Sequence, residues 1–138
     1  MIRLAIIGLL LAAAPAHAMI ECIYYDQMVA EAVDVVQLDD AKVGVPDVNG
    51  NCSISGPVSR VFAGGLQADV WLDSAAPCDN AQGIAGPMIW TNAEALAQAK
   101  VIELHLAAGG GIAGYGAGIV LLDAPTETPA WKPICNAE

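Results

Sequence analysis

The sequence predicts a mainly β fold, a small OB-like or Greek-key barrel with one short helix at about residues 92–99 and two disulfides, Cys52–Cys78 and Cys22–Cys135. Three observations predict it. Two strand-like runs flank a glycine turn between Cys52 and Cys78, an alanine-rich segment follows Asn92, and two more apolar runs lie between Lys100 and Asp123.

The first observation fixes a register. Ile54 to Phe62 and Ala68 to Asp73 flank Ala63-Gly64-Gly65-Leu66-Gln67, whose glycines can take the positive φ values of a short hairpin loop. Centring the turn on Gly65 sets Val58 opposite Leu72, Arg60 opposite Val70, Phe62 opposite Ala68 and Cys52 opposite Cys78. Side chains alternate across a strand, so Ile54, Val58, Phe62, Ala68, Val70 and Leu72 are expected on a core face. Arg60 is the exception, to be accommodated by its long stem or by a bulge at Gly56-Pro57. The reverse face carries Ser59, Asp69, Trp71 and Asp73.

Before the hairpin, Arg3 and the apolar run Leu4 to Ala14 precede Pro15 and Ala16-His17-Ala18, the pattern of a secretory signal peptide with a small-x-small cleavage site. That run is 11 residues, against the roughly 20 needed to span a bilayer. Residues 1–18 are therefore expected to be cleaved, leaving 19–138 as a single exported domain, periplasmic or secreted, without a membrane span. The formal net charge of −10 becomes one unit more negative when Arg3 leaves. Such a chain is a poor partner for nucleic acid or an anionic membrane surface.

All four cysteines fall after residue 18, and an even count in an exported domain favours disulfides. The hairpin register selects Cys52 with Cys78, leaving Cys22 with Cys135. A zinc site would want a C-x-x-C pair, which the chain lacks.

Along the chain, Tyr24 to Ala32 is expected to form one or two helical turns, Val33 to Leu38 a strand, and Asp39-Asp40 a turn. Asp47 to Asn51 is a loop, Asp73 to Gln82 another, and Gly86 to Trp90 a short strand. Asn92 caps a helix through Ala99. In Lys100 to Ala107, Ile102, Leu104 and Leu106 point one way and Val101, Glu103 and His105 the other. Gly118 to Asp123 is a last apolar strand, and Ala124 to Pro133 is an extended proline-rich tail pinned by Cys135.

This order, with one helix between the third and fourth strands, resembles an OB-type barrel. The Val/Phe-rich hairpin of Val58, Val61, Phe62 and Val70, followed by Cys78, also resembles netrin-like inhibitor domains over about half of the mature chain. That resemblance implies a fold and carries no functional residue across.

Several motifs name chemistries. Gly109 to Gly114 satisfies G-x-G-x-x-G after a strand, but a dinucleotide turn needs a helix next, and Gly116, Gly118 and Ile119 to Leu122 predict loop and strand. Asp47, Asn49 and Asn51 alternate like a calcium loop, yet the glycine stands fourth and Val58 occupies the twelfth place, so an ordinary turn is expected. Glu103 and His105 share a strand face and could act as a proton-transfer or metal-ligating pair, although no third partner is tied to them. Asp69, Trp71 and Asp73 form the surface constellation of interest, an indole bracketed by carboxylates that suits a cationic or carbohydrate-like ligand unless the tail or N-terminal segment covers it. Trp90 and Trp131 are expected to pack.

The sequence thus favours a non-enzymatic exported binding domain, with a protein or envelope component as partner and no cofactor. A small metal-assisted or acid/base enzyme using Glu103 and His105 is the alternative from another class. A structural subunit of an envelope assembly is the third.

Overall fold

The structure is a computed structural model and describes residues 16–81, 83 and 88–133, with side chains described from Cys22 onward. Its elements are α1 (Ala16–Ala30), β1 (Asp34–Asp39), β2 (Lys42–Val43), β3 (Asn51–Pro57), β4 (Arg60–Ala63), β5 (Trp71–Pro77), α2 (Ala93–Gln98), β6 (Val101–Leu106), a 3-10 turn (Gly114–Gly116) and β7 (Ile119–Leu122). Two antiparallel sheets result, one ordered β4-β1-β6-β7 and the other β2-β3-β5.

One long bent hairpin joins the sheets. Gln37 pairs with Arg60 at one end, and Lys42 with Ser55 and Val43 with Ile54 at the other, all in the same register. The arms change sheet between Asp39 and Lys42 and between Pro57 and Arg60. Proline supplies no N–H for the ladder at that corner, and the Ser59 hydroxyl accepts the Asp39 N–H at 2.8 Å across it. At the tip the Asp47 carboxylate accepts the N–H groups of Asn49 and Asn51 at 2.8 and 3.0 Å. Gly50 follows at φ 79°, and a Cβ there would lie 1.9 Å from the Asp79 carbonyl oxygen. The loop is an Asx turn, as expected, and only glycine fits its end.

The expected hairpin is thereby corrected. Ile54 to Phe62 is two strands, of which β4 belongs to the other sheet and pairs with β1. Its partner starts at Trp71, because Gln67 to Val70 form a turn with Asp69 at φ 68°, and it continues through Pro77, where a loop was expected. The β3–β5 register sets Cys52 opposite Ala76, not Cys78, and Gly56 opposite Leu72. A two-residue slip preserves which face each side chain takes. Cys52 and Cys78 still bond, with Cα atoms 5.8 Å apart.

The core fills the space between the sheets. Val36, Leu38, Ile102, Leu104 and Leu106 face it from one sheet, Cys52, Ile54, Leu72 and Ala76 from the other, with Val58 at the corner and Leu96 from α2. Each large aliphatic side chain buried there contributes roughly 1.5–3 kcal/mol. Of the expected core face, Ile54, Val58 and Leu72 are buried, whereas Phe62 is half-buried and Ala68 and Val70 are exposed. Phe62 left with β4, and Ala68 and Val70 lie in the turn. The helix of residues 92–99 stands as α2, capped by the Asn92 side chain accepting the Ala95 N–H at 2.9 Å.

Among the described residues the sheets do not close into a barrel. Between the end of β5 and the 3-10 turn lies Ile89 to Thr91, whose Thr91 N–H bonds Pro77 O at 2.8 Å and whose Ile89 N–H bonds Tyr115 O at 2.9 Å. This segment takes the place of a β5–β7 pairing. It includes the described end of the strand expected over Gly86 to Trp90, which is irregular; residues 84–87 lie outside the described set.

A second, smaller cluster sits where α1 meets the 3-10 turn, with Tyr25, Val29 and Ala117 buried against Ile89 and Trp131. Close approach explains the glycines there. A Cβ on Gly116, at φ 99°, would lie 2.3 Å from Ile89 O. α1 is longer than the expected turns and runs through the bond after Ala18. Cys135 lies outside the described residues, and the expected Cys22–Cys135 bridge with it, as do residues 1–15 of the expected leader.

Candidate functional site

Two outer faces compete as sites. On the three-stranded sheet, cross-strand pairing sets Pro57 beside Trp71, Ser55 beside Asp73 and Lys42 beside Ser55. Alternation along β5 turns Leu72 inward and Trp71 and Asp73 outward. Trp71 is 55% exposed, so among the described residues neither the tail nor the N-terminal segment gives it the burial expected of a large aromatic. Its indole N–H donates to the Asp73 carboxylate at 3.4 Å, which ties the ring to a side chain of its own face and leaves it accessible. Asp69 is exposed in the preceding turn, next to the exposed Val70. The sequence-predicted trio is therefore split in backbone type: Trp71 and Asp73 share a strand face, and Asp69 approaches from a loop.

The second face, on the four-stranded sheet, carries Glu103 and His105. They share a face, as alternation requires, and His105 Nε2 lies 2.8 Å from Glu103 Oε1. Both are buried, beneath the chain that follows β7. The N–H groups of Ala130 and Trp131 donate to Glu103 Oε2 and Oε1 at 2.8 and 2.9 Å, and Gln37 Nε2 donates to Oε2 at 2.9 Å. Burial pushes the Glu103 carboxyl upward, but the donors from Ala130, Gln37, His105 and Trp131 outweigh it and hold the group below the ordinary glutamate range.

The network extends along the face. Gln37, itself buried, also donates to the Thr126 hydroxyl and accepts the Arg60 Nε–H at 2.8 Å through its amide oxygen. Arg60 pairs with Asp39 through its remaining guanidinium nitrogens. The Trp131 indole N–H donates to Ala117 O at 3.1 Å, and its ring lies 5.7 Å from that of His105. Trp131 packs, as expected, and Trp90 is half-buried.

This clasp was missed from sequence in all but two members. Gln37, Arg60, Thr126 and Trp131 stand far apart in the chain and carry no spacing signal. The tail's prolines, Pro125, Pro129 and Pro133, signalled an extended segment but not where it lies. Between that tail and the β4 edge opens a cleft of about 950 Å³ bordered by Val61, Phe62, Leu66, Pro125 and Glu127.

The remaining motifs find structural roles. Gly109 to Gly114 leads into the 3-10 turn and β7, with no helix to receive a pyrophosphate. No group of three or more His, Cys, Asp or Glu among the described residues is arranged to hold a metal ion. No helix among them is long and apolar enough to cross a membrane. Comparison with protein-family models, with curated proteins and with solved structures gave no match, so neither the netrin-like resemblance nor any other family gains support from similarity.

Proposed function

We propose that the chain is an exported, non-enzymatic binding module that engages a protein or envelope component through the outer face of the three-stranded sheet, with Trp71 as the anchor. One observation carries the reading. Trp71 stands 55% exposed on a strand braced by the Cys52–Cys78 disulfide, while Leu72 and Ala76 of the same strand are buried. A large aromatic held out on a rigid element is what a binding surface provides, since its ordering cost is already met.

The ligand class follows from charge. Asp69 and Asp73 flank the indole, and the whole chain carries a formal net charge of −10. A cationic group on the partner, seated over the indole face, gains roughly 0.5–2 kcal/mol from the ring alone. Long-range attraction adds to its encounter rate. Lys42, one row away beside Ser55, limits the acidic field to the Trp71 end of the face.

Export rests on the leader pattern at residues 1–18 and is consistent with a disulfide in the domain and no membrane-crossing helix among the described residues. The periplasm or the exterior would both supply the oxidising setting. A Cys22–Cys135 bridge belongs to the same proposal. In fold terms, the pairing of five strand units, with β1–β2 and β3–β4 each counted as one, supports an OB-type Greek key left open where β5 and β7 fail to meet.

An acid/base or metal-assisted reaction at Glu103 and His105 gains no support from the geometry. Both Glu103 oxygens already accept hydrogen bonds, and the tail lies over the pair. The deciding experiment is a fluorescence titration of the mature protein with an oligo-arginine peptide and, separately, with neutral oligosaccharides. Saturable, salt-sensitive binding of the peptide that W71A abolishes supports the reading; binding of the oligosaccharides alone, or binding unaffected by W71A, contradicts it.

A further inference from the structure

The chain has three tyrosines, and all three meet at one place. Tyr24 and Tyr25 come from α1, and Tyr115 from the 3-10 turn. Tyr25 is buried in the small cluster beneath α1, and its ring meets Tyr115 edge-on at 6.3 Å. Tyr24 and Tyr115 lie on the surface, each 39% exposed, with rings stacked at 5.5 Å and 23°. Their hydroxyl oxygens are 2.8 Å apart.

A strained turn, sustained by its packing against α1, presents Tyr115 to Tyr24. Tyr115 sits at φ 52°, ψ 40°, in the left-handed region that a non-glycine residue seldom enters. Gly114 and Gly116 on either side also have positive φ, and a Cβ on Gly114 would lie 2.6 Å from Val29 Cγ2 of α1. The turn is thus pressed onto the helix, and that contact places the Tyr115 phenol against Tyr24. Such an outlier costs of order 1–3 kcal/mol and persists where the surroundings over-determine it.

We propose that Tyr24 and Tyr115 are an oxidative cross-linking site, where hydrogen peroxide and a haem peroxidase join the two rings into an intramolecular dityrosine. Each phenol gives up one electron and its hydroxyl proton to form a phenoxyl radical. The ortho carbons flank the hydroxyl oxygens, so rings stacked with touching hydroxyls bring ortho positions together. One carbon–carbon bond forms between them, and the two ring hydrogens at those carbons move to oxygen and restore both phenols. In sum two C–H bonds are lost, one C–C bond is gained, and the two hydrogens reduce one peroxide to two waters. The hydrogen bond to the Tyr115 hydroxyl holds the Tyr24 phenol above its usual value.

The product would fasten α1 to the 3-10 turn across a sequence separation of 91 residues. Closing so long a loop restricts the unfolded chain, as a disulfide does. It would also secure α1 independently of the thiol state of the protein.

The test uses the mature protein, dilute, treated with peroxidase and one equivalent of hydrogen peroxide. The expected product is a monomer with dityrosine fluorescence and an intact mass lower by two hydrogens. After reduction and trypsin, which cuts at Lys42 and Lys100, Tyr24 and Tyr115 should appear in one cross-linked peptide pair. Y24F and Y115F should each reduce the monomeric product to background, with circular dichroism confirming that both variants fold. Dityrosine found only in dimers, a product that persists in Y115F, or oxidation without any coupling would each overturn the assignment.

Discussion

Cys52 bonds Cys78 although Ala76 stands opposite it in the ladder, so the disulfide runs diagonally, from β3 to the residue just beyond the end of β5. The same cysteine end receives further support from the hairpin tip, because Gly50 O accepts both the Cys78 and Asp79 N–H groups, at 2.9 and 3.0 Å. The bridge therefore locks the tip of the bent hairpin to β5.

Removing it should be costly. The double variant C52A/C78A, which leaves no buried thiol without its partner, is expected to lose about 3 kcal/mol, the usual worth of a loop of this size. Urea denaturation of variant and parent checks this. An unchanged midpoint would mean that the packed sheets alone hold the tip.

Gly50→Ala attacks the same joint from the hairpin tip. The substitution forces a side chain into φ 79° and against the Asp79 carbonyl. We expect a loss of about 1–3 kcal/mol, with the amides of Cys78 and Asp79 exchanging faster with solvent. Hydrogen exchange by mass spectrometry reads this directly.

The expected hairpin shows what pattern can and cannot locate. Alternation identified Ile54 and Leu72 as inward and Trp71 and Asp73 as outward, and these placements stand because the true register differs by two residues. The partner of the second half of the run was invisible, since Val61 and Phe62 look the same whether their strand pairs with Ala68 to Val70 or with Val35 to Gln37. What decides it is the corner at Pro57 to Ser59, a tertiary feature with Gln37 and Asp39 on its far side. The Asn49-Gly50 turn was the better hairpin signal, marking the tip of the longer ribbon. Asn92 and the alanines gave α2 correctly because capping and propensity are local. The Glu103 clasp was half legible: strand alternation put Glu103 beside His105, but nothing local brings Ala130 and Trp131 across.

Glu103→Gln tests that clasp. The amide retains one acceptor oxygen and turns an NH2 toward the N–H of Ala130 or Trp131, leaving a donor unpaired. A loss of about 2 kcal/mol or more is expected, with the tail cleaved faster by proteases while the sheets persist.

The pH dependence has a fixed sign. Glu103 ionises more easily folded than unfolded, so its contribution is complete above the unfolded carboxylate range and is lost as pH falls through its lowered folded value. Denaturation midpoints should fall on acidification for the parent, and less steeply for E103Q. Equal slopes in the two proteins would remove Glu103 as a source of acid sensitivity.

Trp71→Ala should leave stability within about 0.5 kcal/mol, because the side chain is exposed. Thermal melts of W71A and the parent check this. A large drop would make Trp71 a packing residue and withdraw the anchor from the binding face.

The proposed binding face is tested by two-dimensional NMR of the protein titrated with an oligo-arginine peptide at low salt. The chain has three indole N–H signals, and Trp131's is tied to Ala117 O while Trp71's stands on the surface. The account predicts saturable shifts at the Trp71 indole and at the amides of Ser55, Trp71 and Asp73, absent in W71A and weakened by added salt. Shifts confined to the cleft at Phe62, Leu66 and Glu127, with the Trp71 indole unmoved, would contradict it.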